Sequence, residues 1–451
     1  MKYILLASTS LLLSGCLLTA PEHQRIPAPG AWTSSTSSVN SVDTQSLHGW
    51  WKGFNDPILD QLVDHALRGS PDRKIAEARV IEARGLRRQV TSSLFPQIGL
   101  SGEAGRGSTV NSNFATGDFY DAGFDASYEV DIFGRNRNTA SAAASNERAR
   151  SAEYDNVSIT LVAEVARSYI EYRAAEKQIA IAQKNLDSQQ KTLDLVSQQK
   201  KLGEAPQLDV ERAEGLVNTT KSAIPEFQRQ ADNARLRLSV LTGEMPEIIA
   251  PVLLQSTAPV IAVIKPALLT PAEIITQRPD IRAAQSNLEA QTSLTKAEIA
   301  NIFPTITLGS FFGVADTVLI DPTKIWSASI NAAVSLLDFG RVRGGIDSAK
   351  AREVQAFEFL RKTVLQAVTD VETALTDYAR INERLITLQQ AASNAQNSLN
   401  LSQQLYKEGE ISFLDVLDAQ RTLNNANANV VRAEEAQSLS LVALYKALGV
   451  Y

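Results

Sequence analysis

The 451-residue sequence predicts a mainly α-helical chain that also carries strands of a membrane β-barrel, and three observations predict it. The chain is an internal duplication. Each half holds a helix too long for any compact domain. Each half also holds two alternating strands, and the four together are too few to close a barrel.

The duplication appears when the sequence is slid against itself. Pro71-Asp72 recurs as Pro279-Asp280 and Phe95-Pro96 as Phe303-Pro304, an offset of 208. Phe133-Gly134-Arg135 recurs as Phe339-Gly340-Arg341, Gly203-Glu204 as Gly409-Glu410, Leu208-Asp209-Val210 as Leu414-Asp415-Val416, and Gly243 as Gly449, all at an offset of 206. A register that slips once, by two residues, marks two copies of one structural unit rather than recurring composition.

Taken in chain order, Lys2 precedes an apolar run from Ile4 to Leu13 that is too short to span a bilayer. Residues 1–15 therefore read as a secretory signal. The run ends in Leu13-Ser14-Gly15-Cys16, which resembles a lipobox with Cys16 as the acylated first residue of the mature chain. Cys16 is the one cysteine present, which excludes a disulfide and a thiolate metal site. An N-terminal segment, 16–60, then leads to the first repeat, 61–243.

Within that repeat a helix ends at Phe95-Pro96, strands follow at about 96–107 and 119–131, and helices at about 136–200 and 206–242. Between Asn136 and Lys200 there is neither proline nor glycine, so one helix can run ~65 residues, or roughly 100 Å. Residues 244–271 carry Pro246, Pro251, Pro259, Pro266 and Pro271, which suits a surface linker. The second repeat, 272–451, repeats the order, with strands at about 304–314 and 326–337 and helices at about 341–407 and 412–448. Its long helix shows a coiled-coil seam through Val364, Val368, Val371, Leu375, Tyr378, Ile381, Leu385, Leu388, Ala392, Ala395, Leu399 and Tyr406.

The strand around 119–131 alternates Tyr120, Ala122, Phe124, Ala126, Tyr128 and Val130 with Asp121, Gly123, Asp125, Ser127, Glu129 and Asp131. One face is apolar and aromatic and the other acidic, a pattern long enough to cross a bilayer in a barrel. The counterpart sets Trp326, Ala328, Ile330, Ala332, Val334 and Leu336 against Ser327, Ser329, Asn331 and Ser335. A soluble sandwich sheet with one wet face would alternate in the same way, and it is the secretory signal and the lipobox that favour the membrane. An open sheet edge in lipid leaves backbone groups unpaired, so several copies must then close the barrel together.

Other function classes find little in the sequence. The net charge of -6 is spread without a basic stripe, which argues against nucleic acid. Asp338-Phe339-Gly340 spells a kinase triplet without its companion motifs. His23, His48 and His65 form no metal spacing. An enzyme is not expected, nor any cofactor beyond a covalent lipid on Cys16.

The lipobox, Arg278-Pro-Asp-Ile-Arg282, Phe303-Pro304, Leu337-Asp-Phe-Gly-Arg341, and the run from Tyr406 to Gln420 resemble the TolC-like outer-membrane efflux proteins, in their lipoprotein branch of NodT and OprM type. The resemblance covers the chain from Cys16 onward. It implies a trimer with a 12-strand β-barrel in the outer membrane and a 12-helix coiled-coil α-barrel in the periplasm. It implies a passive exit duct of a tripartite drug efflux pump, fed by a periplasmic adaptor and an inner-membrane transporter of the resistance-nodulation-division class. An exit duct of a type I protein secretion system and a structural coiled-coil lipoprotein are the competing readings.

Two helix hairpins, 201–210 and 407–416, should form the periplasmic tips, with Gly203 and Gly409 as helix C-caps. The turn residues Gly203, Glu204, Gly409, Glu410 and Ser412 are candidates for contacting the adaptor. Asp415 suits a capping box with Ser412. Asp418, one turn on, has no such explanation. The resemblance implies that Asp415 and Asp418 form carboxylate rings at the closed end of the tunnel, and that Asp209 and Tyr406 tie neighbouring hairpins together. A family arginine in that link falls at Ile411 here, where the sequence departs from the pattern.

Overall fold

Proline and glycine punctuate the chain into long helices and short connections. The computed structural model describes residues 26, 30–33, 40–41, 47–108, 116–254, 267–268, 270–317 and 320–451. The signal segment, Cys16, His23 and, in the linker at 244–271, residues 255–266 and 269 lie outside the described residues. In chain order the elements are β1 (Asn40–Ser41), α1 (Pro57–Gly69), α2 (Pro71–Thr91), β2 (Gln97–Ser108), β3 (Thr116–Glu129), α3 (Arg135–Lys201), α4 (Gln207–Thr242), α5 (Pro246–Leu253), β4 (Ala267–Leu268), α6 (Pro271–Gln277), α7 (Pro279–Ala300), β5 (Thr305–Thr317), β6 (Ile320–Ala333), α8 (Arg341–Glu408) and α9 (Phe413–Leu448). The two long helices contain 67 and 68 residues, each followed by one of 36.

The helical approach to the strands is broken at the same place in both repeats. Ser70 and Arg278 each precede a proline and leave the helical region, with ψ of 125° and 126°. Clash with the proline ring forces that break and separates α1 from α2 and α6 from α7. The first of these helices begins at Pro57, ahead of the repeat start expected at 61, because Asp56 caps it and proline suits its first turn.

The described residues divide into two compact units, one built on Glu77–Glu153 and Asp280–Thr363, the other on those of Pro27–Ala76, Tyr154–Pro279 and Val364–Tyr451. The first unit contains a four-stranded antiparallel sheet in the order β2-β3-β5-β6. Its last strand stops at Ala333, short of the 337 expected from the alternation, and starts earlier, at Ile320. Ala333 pairs with Thr305, and Pro304 just before Thr305 has no N–H to continue the ladder.

Below the sheet in the same unit, ion pairs and hydrogen bonds join the helices in series. Arg84 and Arg87 reach Glu147 at 3.1 and 2.8 Å, Arg148 reaches Glu289 at 2.8 Å, and Thr292 donates to Glu353 at 2.8 Å. Buried alanines, among them Ala83, Ala142, Ala149, Ala290 and Ala349, let the helices approach closely. Where strand turns to helix, Phe133 and Phe303 stack with centroids 4.5 Å apart. Asp338 accepts from the backbone N–H groups of Val342 and Gly340 at 3.0 Å each, and those bonds hold its carboxyl below the usual range.

The second unit holds the main core. Trp50, Phe54, Leu59, Leu62 and Val63 pack with Val162, Val165 and Tyr169 of α3, Leu238 of α4, Ile249 and Leu253 of α5, and Leu441, Leu444 and Leu448 of α9. Each fully buried leucine or isoleucine contributes about 1.5–3 kcal/mol relative to exposure. Trp50 stacks on Tyr445 at 5.0 Å, and Tyr169 donates to Asp56 at 2.6 Å while Asp56 also caps Ile58. These contacts make residues 47–69 part of the core, and β1 adds a parallel pairing with β4.

Candidate functional site

The strand register sorts the sheet's side chains onto two faces. Glu103 pairs with Asp121, and Asp125 and Glu129 follow on the same face of β3. Among the described residues of the strands, no lysine or arginine shares that face. Phe119 and Phe311 lie flat on it over glycines: a Cβ at Gly105 would meet the Phe119 ring at 2.7 Å, and one at Gly123 the Phe311 ring at 2.6 Å. The opposite face carries Ile98, Leu100, Phe124, Phe312, Trp326 and Ile330, every one more than half exposed. A continuous aromatic and aliphatic surface of this kind is not one that a water-soluble monomer keeps bare. Among the described residues, no helix is long and apolar enough to cross a membrane.

The two hairpins share one backbone solution. Gly203 and Gly409 sit at φ +80° and +78°, a left-handed conformation that side-chain-bearing residues rarely adopt. The N–H of Glu204 reaches the carbonyl of Gln199 and that of Glu410 the carbonyl of Leu405, both at 2.9 Å, which closes each long helix with a Schellman turn. The turn candidates Gly203, Glu204, Gly409, Glu410 and Ser412 are all exposed. So are Leu202, Leu208 and Leu414, which the sequence reading passed over; their exposure is visible only once the turn geometry turns them away from the helix contacts.

The hairpins then diverge. Asp415 accepts from the backbone N–H and the hydroxyl of Ser412 at 3.0 and 2.8 Å, so it forms the capping box of α9. Asp418 is 64% exposed and, among the described residues, pairs with Arg421 at 3.6 Å. Asp209 is the less exposed carboxylate, paired with Arg212 at 3.4 Å. Tyr406 donates to the side-chain carbonyl of Gln199 at 2.8 Å, not to Asp209, and tilts against Phe413 at 5.5 Å. That bond joins α8 to α3. Burial pushes the Tyr406 phenol above its usual range, and the nearby Asp209 charge adds to the effect. Ile411, where the resemblance puts an arginine, instead packs on the cluster of Ala395, Leu399, Val416, Ala419 and Leu423. His48 is exposed beside the Tyr451 carbonyl and His65 is half-buried on α1, so the two described histidines stay apart from these residues.

A bare lipid-compatible sheet face beside helices this long defines a class: chains that line a conduit through a membrane. The chain belongs to the outer membrane efflux protein family, whose model matches residues 62–244 and 270–450. It is 31% identical to the pyoverdine export outer membrane protein OpmQ of Pseudomonas aeruginosa over 100% of this chain and 97% of the relative. It is 29% identical to the cation efflux system protein CusC of Escherichia coli K12, over 98% and 97% of the two chains. Among solved structures, the outer-membrane channel OprN aligns with a TM-score of 0.86 at 29% identity, covering 96% of this chain and 99% of that one. The protein is an outer-membrane efflux channel, the outer-membrane component of an efflux pump.

Proposed function

We propose that three copies of this chain, anchored by acyl groups on Cys16, form the exit duct of a tripartite drug efflux pump. Each copy adds its four strands to one closed barrel and its helices to one periplasmic tube. The observation that carries this reading is the sheet: four strands with two open edges and one bare apolar face cannot stand alone in a bilayer. The duct performs no covalent chemistry. A periplasmic adaptor docks on the exposed turns around Gly203, Glu204, Gly409, Glu410 and Ser412, and an inner-membrane transporter of the resistance-nodulation-division class supplies the driving force. The two relatives named for pyoverdine and for cations carry unlike cargoes, which supports a duct whose selectivity is set by the transporter behind it.

In this reading Asp415 and Asp418 line the periplasmic aperture, where carboxylates from three copies attract cations. Tyr406, with Asp209 close by, holds the two hairpins of one copy together. The purified lipoprotein in planar bilayers should give discrete conductance steps, run as a trimer by light scattering, and restore drug resistance to a strain lacking the gene. A monomer without channel activity would overturn the proposal.

A further inference from the structure

Between the first hairpin and α9 lies a cavity of about 650 Å³, within the size range of drug-like ligand sites. Asn185 of α3, Arg212, Leu216 and Phe227 of α4, and Arg421 and Asn424 of α9 line it. The two guanidiniums come from different helices, and each faces a carboxylate of its own helix at a long distance, Asp209 at 3.4 Å and Asp418 at 3.6 Å. Each guanidinium therefore keeps most of its donors facing solvent and available to a ligand, and arginine pairs suit planar anions. Leu216 and Phe227 supply an apolar wall.

A second observation points the same way. Gln189 is 3% exposed, and neither its amide nitrogen nor its amide oxygen has a hydrogen-bond partner among the described residues. It sits one helical turn from Asn185 on the same face of α3. Gln420, one turn from Asn424 on α9, is also buried and leaves its amide oxygen unpartnered, while its nitrogen donates to Thr192 at 3.0 Å. The α3 to α9 contact beside the cavity is thus polar and incompletely paired.

We propose that this cavity binds a small amphiphilic organic anion, a carboxylate or sulfonate on an apolar body, and that its occupation clamps the first hairpin to α9. The anionic head engages Arg212 and Arg421 and the body lies against Leu216 and Phe227. The clamp, but not the site, rests on the aperture reading above.

The test uses the full-length protein in nanodiscs, titrated with fluorescent dansylglycine and with its neutral analogue dansylamide. Replacing both Arg212→Gln and Arg421→Gln should weaken dansylglycine by about tenfold or more and leave dansylamide unchanged. Gly215 lines the cavity, and a Cβ there meets nothing within 4 Å, so Gly215→Trp should fill the space without disturbing the helix and abolish binding of both probes. Dansylglycine binding that survives either change, or no saturable binding by the wild type, would overturn the site. Saturating dansylglycine should lower single-channel conductance in the wild type and not in Gly215→Trp; unchanged wild-type conductance would overturn the clamp.

Discussion

In the first repeat, the end of α4 is closed by backbone against backbone. Gly243, at φ +72°, ends the helix so close to the end of α1 that a Cβ there would lie 2.5 Å from the Gly69 carbonyl oxygen. In the second repeat, the end of α9 is closed by a side chain. Gly449 at φ +75° ends the helix against Arg278, whose buried guanidinium donates to the Ala447 carbonyl at 2.7 Å and lies 3.5 Å from Asp370. Duplication preserved the glycine and the proline that follows the break, while the partner changed from a backbone carbonyl to a buried, hydrogen-bonded arginine. The hairpins show the same divergence, with Pro206 starting α4 without a side-chain cap and Ser412 with Asp415 capping α9.

The largest effects should separate these two closures. Gly243→Ala meets both a left-handed backbone and an immovable carbonyl, and should cost about 2–4 kcal/mol. Gly449→Ala meets the Cγ of Arg278 at 2.7 Å, where any shift must loosen the buried bond to the Ala447 carbonyl, and should cost about 1–3 kcal/mol. Arg278→Ala leaves the Ala447 carbonyl buried without its charged donor and should cost about 2–3 kcal/mol. Urea unfolding of the purified protein ranks the three, and equal losses for the two glycine variants would erase the distinction between the repeats.

A middle-sized effect concerns Tyr406, which has no counterpart in the first repeat, where Lys200 occupies the equivalent place. Tyr406→Phe removes the bond to Gln199 and should cost about 1 kcal/mol. Because burial raises the phenol's pKa in the folded state, the protonated donor is the form that folding favours. Its contribution is full below the ordinary tyrosine value of about 10 and is lost as pH rises through the raised value. Wild-type single-channel conductance should therefore rise as the pH passes above the raised phenol value, and Tyr406→Phe should show no such pH step.

How much of this was legible in the sequence follows from what each feature needs. The repeat, the long helices and the turn glycines are written in residue identity, because proline, glycine and helical spacing act locally. The mainly helical architecture with a membrane sheet was readable for the same reason. The break before Pro71 and Pro279 was available from the proline rule, yet the capped start at Pro57 needed Tyr169 and Ile58 to define the role of Asp56. The extent of β6 depends on where Pro304 ends its partner, and the cavity depends on three helices meeting. Pairwise geometry of this kind leaves no periodic signal. The bond partner of Tyr406 was hidden likewise, since Gln199 lies in the other repeat.

The smallest stability effects should distinguish the two aspartates proposed for the aperture. Asp415→Ala removes the capping box of α9 and should cost about 1 kcal/mol in addition to any change in conductance. Asp418 caps nothing, is largely exposed, and has one long contact to Arg421, so Asp418→Ala should leave unfolding unchanged within about 0.5 kcal/mol. On the proposed reading its effect falls on conductance alone. Conductance should rise and block by divalent cations should weaken, because a carboxylate that takes no part in the helix start is free to meet passing ions. If Asp418→Ala alters stability but not conductance, the carboxylate serves the fold, and the aperture reading would have to rest on Asp415 despite its engagement with Ser412.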